Sequence, residues 1–339
     1  MSNLLNSKKR SNHFQNKGIL LIFATNWKFQ AFDKQNTMNG YVTVIGGTNI
    51  DIAASLTAPF VPADSVPGQV TLGYGGVARN IAHNLRLMGH EVRLVSVFGE
   101  ETFGNMCWRE CHAIGLDLTL SEHCKDMRTG LYLYINNQGG DMIAAVADTD
   151  IIDCITPEFL DSRIDAINNS ALVIADTNIS ADALRFLIDH CTALLIVDAV
   201  STAKATRVTM ALNLSHTHQL NVLKLNRQEA LAVTLCDTVE SAADCLTGMG
   251  ISHVYITMGS EGVYCSDGTR HEHYKAIPTL VANTTGAGDA FIAGVAHAQL
   301  CGTAFPDCAL TGLRAAYATL LSPQTVNPDV GKYCRSEEI

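Results

Sequence analysis

The chain lacks most of the short signatures by which catalytic and binding proteins declare themselves. No G-x-x-x-x-G-K-[ST] occurs, which excludes a P-loop protein. No G-x-G-x-x-G follows a strand; Gly46-Gly47 continues instead as Thr48, Asn49 and Ile50, which argues against a dinucleotide-binding oxidoreductase. Neither G-x-S-x-G nor H-E-x-x-H is present. The 11 cysteines form no C-x-x-C pair, and the histidines within 215–218 and 271–273 have no cysteine at zinc-finger spacing. Reduced thiols of a cytoplasmic protein are the simpler account. Basic residues are in deficit, 23 Lys and Arg against 33 Asp and Glu, for a formal charge of −10. Without a Lys/Arg stripe a nucleic-acid binder is disfavoured. The apolar run at 18–25 is far too short to cross a membrane.

What remains is an ordinary soluble composition, 47% apolar and 17% charged, in 339 residues. That length holds one large α/β domain or two smaller ones. Lys8, Lys9, Arg10 and Lys17 precede the short apolar run, a superficial likeness to a signal peptide without a clear cleavage site. Residues 1–37 therefore read as an extension dispensable for chemistry. From 41 to 45 a β-branched run, YVTVI, ends at Gly46-Gly47, and apolar residues at 81, 82, 85 and 88 then recur at helical spacing. Further strands are expected at 92–97, 171–175, 194–198, 221–225 and 253–258, and helices at 103–114 and 181–189. The alternation predicts a mostly parallel central sheet covered by helices on both faces. Two β-rich segments break it, about 51–74 and 128–148. The second reads as a hairpin around Asn137-Gln138-Gly139-Gly140, and together they suit a small subsidiary sheet acting as a lid. Asp176, Asp198 and Asn226 fall at strand ends, where open α/β sheets bind ligands.

The most informative stretch is Asn283-Thr284-Thr285-Gly286-Ala287-Gly288-Asp289, which runs into a helical pattern. Small residues at 286–288 let backbone N–H groups approach an anion at a helix N-terminus. Asp289, in the first turn, could take the proton of a hydroxyl held against the bound phosphate, which suits phosphoryl transfer to an alcohol. The rival reading is a plain strand-to-helix link with Asp289 as a capping acid. Upstream, Gly73 to Asn80 (GYGGVARN) is either a helix-entry turn or a site where a ligand meets backbone and the Asn80 amide binds sugar hydroxyls. Asn49 and Asp51 point the same way along an extended segment and could accept or donate to neighbouring hydroxyls, unless they form an Asx turn. Asn226 and Glu229 could order the waters of Mg²⁺ near phosphates, or simply cap their helix.

Taken in order, these motifs resemble the ribokinase-like (pfkB) family of carbohydrate and nucleoside kinases, from about residue 40 to 330. The resemblance implies a three-layer α/β/α fold in a domain at 38–330, with residues 331–339 as a tail. It also implies an ATP- and Mg²⁺-dependent phosphotransferase in the cytoplasm. Asp289 would be the base, with Gly286, Ala287 and Gly288 as the anion hole. Asn49, Asp51, Gly75, Gly76, Asn80 and Asp148 would bind the acceptor. Asn226, Thr257, Gly259, Gly262 and Thr285 would line the nucleotide site, with Glu229 and Asn226 reaching Mg²⁺ through water. Asn283 stands where the family commonly has Asp, near the monovalent-cation site of many members, and that position bears on K⁺. Leu225 stands where Pro is usual, and Ala147 where a polar lid residue is expected. The stretches 75–85, 175–180, 197–204 and 224–230 are most similar to members that act on the C-nucleoside pseudouridine. A small-molecule acceptor, no nucleic acid, no membrane and a homodimer through the lid are the implied partners. Lys204 and Asp148 are the candidates for contact with the base.

Overall fold

A computed structural model of the chain describes residues 40–335. The extension expected at 1–37 lies outside the described residues. The first strand, β1 (Val42–Ile45), is buried along its whole length, as expected of a β-branched run in the middle of a parallel sheet. It pairs in parallel with β4 (Val92–Val95) on one side and β9 (Leu172–Asp176) on the other. Next come β10 (Leu195–Asp198), β11 (Leu220–Asn226) and β12 (Ile251–Thr257), all parallel. Two antiparallel strands, β13 (Val263–Ser266) and β14 (His271–Tyr274), complete an eight-stranded sheet. Strand order reverses about β1, so the carboxyl ends of β1 and β9 flank a crevice.

Alternating side chains feed two cores. Val42, Val44, Leu172 and Ile174 join one apolar cluster, with the helices Val77–Leu87, Ala287–Leu300 and Cys308–Leu320. Ile45, Val173, Ala175 and Val197 join the other, with the helices Ala181–His190, Thr202–Leu214 and Val239–Gly248. The three-layer α/β/α arrangement is thus the one the alternation predicts. Local signals fix several helix starts. Ser180 accepts from the Ala183 N–H, Thr238 from that of Ser241, and Asn226 with Glu229 forms a full capping box. The helix Thr202–Leu214 was not legible in the pattern, because its inward residues include Ala205 and Ala211 and its stripe is weak. Residues 331–335, expected to begin a tail, instead continue a short helix, Val330–Arg335, in which Val330, Gly331 and Cys334 are buried.

The two β-rich inserts build one sheet. Its strands are β2 (Asn49–Leu56), β3 (Gly68–Gly75), β7 (Gly130–Asn136) and β8 (Met142–Asp148), in the order β3-β2-β7-β8. A pair of short strands, β5 (Val97–Gly99) and β6 (Glu122–Cys124), leads the chain from the core towards β7. Among the described residues no helix is long and apolar enough to cross a membrane.

Candidate active site

The site assembles where the lid's roots meet the carboxyl edge of the central sheet. Asp176, ending β9, is fully buried. One of its oxygens accepts the Gly47 N–H at 3.0 Å and the Ala78 N–H at 2.8 Å, and the other accepts that of Asn178 at 2.9 Å. This carboxylate knots the turn after β1 to the start of the Val77–Leu87 helix. Gly76 sits at the junction with φ 97°, and a Cβ there would lie 2.3 Å from the Gly47 carbonyl, so only glycine fits.

Just beyond that knot, the Asn49 amide donates to Asp51 at 2.6 Å, as the same-face placement predicts. Gly75 packs against the Asp51 carboxyl, closely enough that a Cβ would collide with it. Burial raises the Asp51 pKa, while Asn49 and the Arg79 charge pull it back. Asn80, one helical turn further on, donates from Nδ2 to Asp289 Oδ2 at 2.9 Å. Residues 209 apart in sequence therefore meet, and the two glycine motifs form one site.

Asp289 lies in the first turn of the helix Ala287–Leu300, whose N-cap is Gly286. Its pKa is raised to about 7, first by burial and then by the Asp198 charge; Asn80 and Lys224 oppose the rise and Asp176 adds to it. A carboxyl near neutrality is suited to exchanging a proton at physiological pH. Beneath it runs a buried ion pair, Lys224 Nζ to Asp198 Oδ2 at 3.0 Å. Burial works against the Lys224 charge, but Asp198, Glu229 and Asp289 hold its pKa above the usual lysine value. The ammonium lies 2.9 Å from where a Cβ on Gly288 would stand, so Gly288 leaves room for the Lys224 cation directly under the turn at 286–288. Sequence reading missed Lys224 altogether. A lysine inside an apolar strand carries no pattern of its own, and its role emerges only when β11 is registered beside Asp198 of β10.

Of the residues expected to line a nucleotide site, Asn226 and Thr257 are cross-strand partners at the ends of β11 and β12. Gly259 and Gly262 take φ values of 60° and 103° in the turn that follows, and Arg227 ties that turn to the Arg227–Thr234 helix through Glu261 at 2.6 Å. Glu229 is buried, with one oxygen on the Asn226 N–H and the other on the Asn226 amide. Both oxygens of its carboxylate are thus engaged by Asn226, which fits contact with Mg²⁺ through water. No group of three or more His, Cys, Asp or Glu able to hold a metal occurs among the described residues. Asn283 accepts the Thr285 N–H at 3.0 Å, an Asx turn whose neutral amide oxygen is engaged. Thr285 is exposed in the same turn.

Asp148 does not join Asn49, Asp51 and Asn80. It registers with Leu131, which registers with Ile50, so it shares the face of the lid opposite Asp51. The residue on the Asp51 face is Ala147, across from Tyr132. Tyr132 and Tyr134 line that face with ring centroids 5.6 Å apart, and Asp51 contributes to the raised pKa of Tyr134 after burial. The alternation in the LYLYIN run could have found them. Lys204 donates to Asn178, at the side of the Gly47 turn.

Comparison with known proteins places this geometry among relatives. A sequence profile described as pfkB family carbohydrate kinase matches residues 39–330. The chain is 32% identical over 292 residues to the pseudouridine kinase of Escherichia coli (strain K12), covering 86% of this chain and 93% of that protein. It is similar to a carbohydrate kinase from Agrobacterium tumefaciens with a TM-score of 0.75 and 28% identity, over 86% of this chain and 96% of that one. Arabidopsis thaliana ribokinase, complexed with ribose and ATP, superposes with a TM-score of 0.73 at 18% identity, over 88% and 100% of the two chains, a likeness of fold.

Proposed function

This chain belongs to the pfkB family of carbohydrate kinases, a phosphotransferase with an alcohol acceptor, and we propose that its acceptor is the 5′-hydroxyl of pseudouridine. The products are then pseudouridine 5′-phosphate and ADP. The observation that carries the reading is the Asn80–Asp289 contact, which sets the polar sugar loops against the phosphate turn. The sequence similarity to pseudouridine kinase chooses among acceptors.

In the reaction, Asn49, Asp51 and Asn80 hold the ribose hydroxyls, and Asp289 takes the 5′-hydroxyl proton. The O5′–Pγ bond forms as the bond from Pγ to the β,γ-bridging oxygen breaks. Backbone N–H groups of the Gly286–Gly288 turn, where the Ala287 N–H donates to the Thr284 carbonyl at 3.4 Å, and the Lys224 charge beneath them receive the transferring phosphoryl group. Asn226 with Glu229 would orient the waters of a bound Mg²⁺, which would supply charge neutralisation for the phosphates. Tyr132 and Tyr134 cover the base from the lid, with Lys204 at the opposite side.

The lid's other face suits a second copy of the chain. Leu72, Ile52, Leu133 and Val146 form one cross-strand row on it, with Val70 in the next row. Val70 is 68% exposed and Val146 63%, an apolar surface that pairing across a two-fold would cover. A cytoplasmic site fits the 11 unpaired cysteines among the described residues.

A second reading keeps the chemistry and changes the acceptor to ribose or another nucleoside, because the polar cluster addresses only the sugar. ATP consumption with Mg²⁺ against pseudouridine, uridine, adenosine, ribose and fructose, with and without K⁺, separates them. Selective turnover of pseudouridine supports the proposal; turnover of another acceptor removes the substrate assignment. No turnover with any of them favours a non-catalytic sensor.

A further inference from the structure

One charged residue of the GYGGVARN motif has no part in the reaction so far. Arg79 is 5% exposed, so its guanidinium lies inside the protein, where an unpaired charge is strongly disfavoured. Nη1 donates to the Tyr74 carbonyl at 3.0 Å and to Asn80 Oδ1 at 3.2 Å, and Nη2 stands 4.0 Å from Glu110 Oε1. The other end of the Asn80 amide is the one that meets Asp289. Arg79, Asn80 and Asp289 thus form a directed chain, from guanidinium to amide oxygen and from amide nitrogen to carboxylate.

From this chain we infer that Arg79 is a positioning residue for phosphoryl transfer, locking the Asn80 amide in the one orientation that presents a donor to Asp289. The inference rests on the reading of Asp289 as the base. An amide side chain has an accepting end and a donating end, and either can turn towards a carboxyl group. A guanidinium has donors only and accepts from nothing at any working pH. Were the amide reversed, its NH₂ would face the Arg79 donors and its oxygen would face the Asp289 oxygen. Both contacts would be repulsive while Asp289 is ionised. Arg79 therefore excludes the reversed amide and keeps a donor on the ionised base.

The surroundings make that donor consequential. Asp289 faces Asp198 and Asp176, which favour its protonation, and Lys224, which opposes it. Arg79 itself faces Glu110, Cys107 and Cys111 of the helix Thr102–Ala113, Asp51 of the lid and His83 on its own helix. Asn80 is the contact through which it reaches the base.

The test compares Arg79→Gln, Arg79→Lys, Asn80→Ala and the double variant Arg79→Gln/Asn80→Ala in the full chain. The readout is kcat/KM for the nucleoside across the acid limb at saturating Mg²⁺-ATP, beside thermal unfolding. Glutamine can offer Asn80 either a donor or an acceptor, so it should displace the acid limb upwards by about one pH unit, tenfold in rate on its lower side. Lysine is again donor-only and should leave the limb near its wild-type position. Asn80→Ala should displace it as Arg79→Gln does, and the double variant no further. A merely structural Arg79 would lower the melting temperature and the amplitude with the limb unmoved, which would overturn the inference. Equal limbs in the Gln and Lys variants would do the same, as would a double variant that sums the two shifts. Failure of the underlying reading shows separately, as near-normal turnover in Asp289→Asn.

Discussion

The carboxyl edge of the central sheet and the lid are both β-structure, yet they treat charge and apolar surface in opposite ways. At the edge, Asp176, Asp198, Lys224 and Glu229 are nearly inaccessible, and each is bonded to backbone or to another charge. On the lid, Val70, Leu72 and Val146 are mostly exposed, and the Asp51 face carries two tyrosines beside a single carboxylate. The edge is anchored by parallel strands with a core on each side, so it can hold a carboxyl at an unusual pKa. The lid has few such anchors and is free to vary with the acceptor. On the proposed function, chemistry belongs to the edge, and choice of substrate with pairing to the lid.

The sharpest way to break this division is to change the edge. Asp289→Asn should lower phosphoryl transfer by about 10²- to 10⁴-fold while ATP binding, followed by titration, stays near wild type. Lys224→Met leaves Asp198 buried without its counter-charge, and a loss of roughly 3–5 kcal/mol in unfolding free energy is expected, with turnover falling as well. Denaturant titration beside an activity assay checks both. The pH dependence follows from the same carboxyl. As the proposed base, Asp289 is required deprotonated, so activity should rise with pH through about 7 and fall about tenfold per unit below it. Stability runs the other way. The folded chain keeps the Asp289 proton to about 7 and the unfolded chain loses it near 3.8, so this group's favourable contribution is lost as pH rises through that window. Melts of Asp289→Asn should accordingly exceed wild type at high pH, with the gap closing towards pH about 4.

Changes on the lid should be milder. Val70→Lys with Val146→Lys should shift the protein towards monomer in light scattering and raise KM for the nucleoside several-fold, about 1 kcal/mol, with kcat nearly kept. An unchanged oligomeric state would remove the pairing role of that face. A change outside both regions calibrates them. Leu235 caps the Arg227–Thr234 helix at φ 56° and is 89% exposed, so Leu235→Gly should stabilise by about 0.5–1 kcal/mol with activity unaltered.

The edge and the lid also differed in how far they could be read beforehand. Small residues and Asp289 before a helical pattern, Asn226 three before Glu229, and β-branched runs alternating with helices are local signals, and all lie where expected. Asp176 and Asp198 were visible as acids at strand ends, but what they bond depends on which strands become neighbours. Lys224 was invisible for that reason. On the lid, the β7–β8 hairpin was legible, β2 and β3 only as an irregular β-rich stretch, and the face was not. Counting by twos from Asp51 across β7 and β8 brings Ala147 to its side and carries Asp148 away. The helix Thr202–Leu214 went unseen because small buried residues leave little amphipathic contrast.

The central claim is that this edge moves a phosphoryl group onto a nucleoside hydroxyl. Identifying the product tests it most directly, by incubating the wild-type chain with Mg²⁺-ATP and pseudouridine and locating the new phosphate by ³¹P NMR and mass spectrometry. The account predicts one nucleoside phosphate, esterified at the 5′ oxygen, in step with ADP. ATP hydrolysis without a nucleoside phosphate, or no loss of ATP at all, would contradict it.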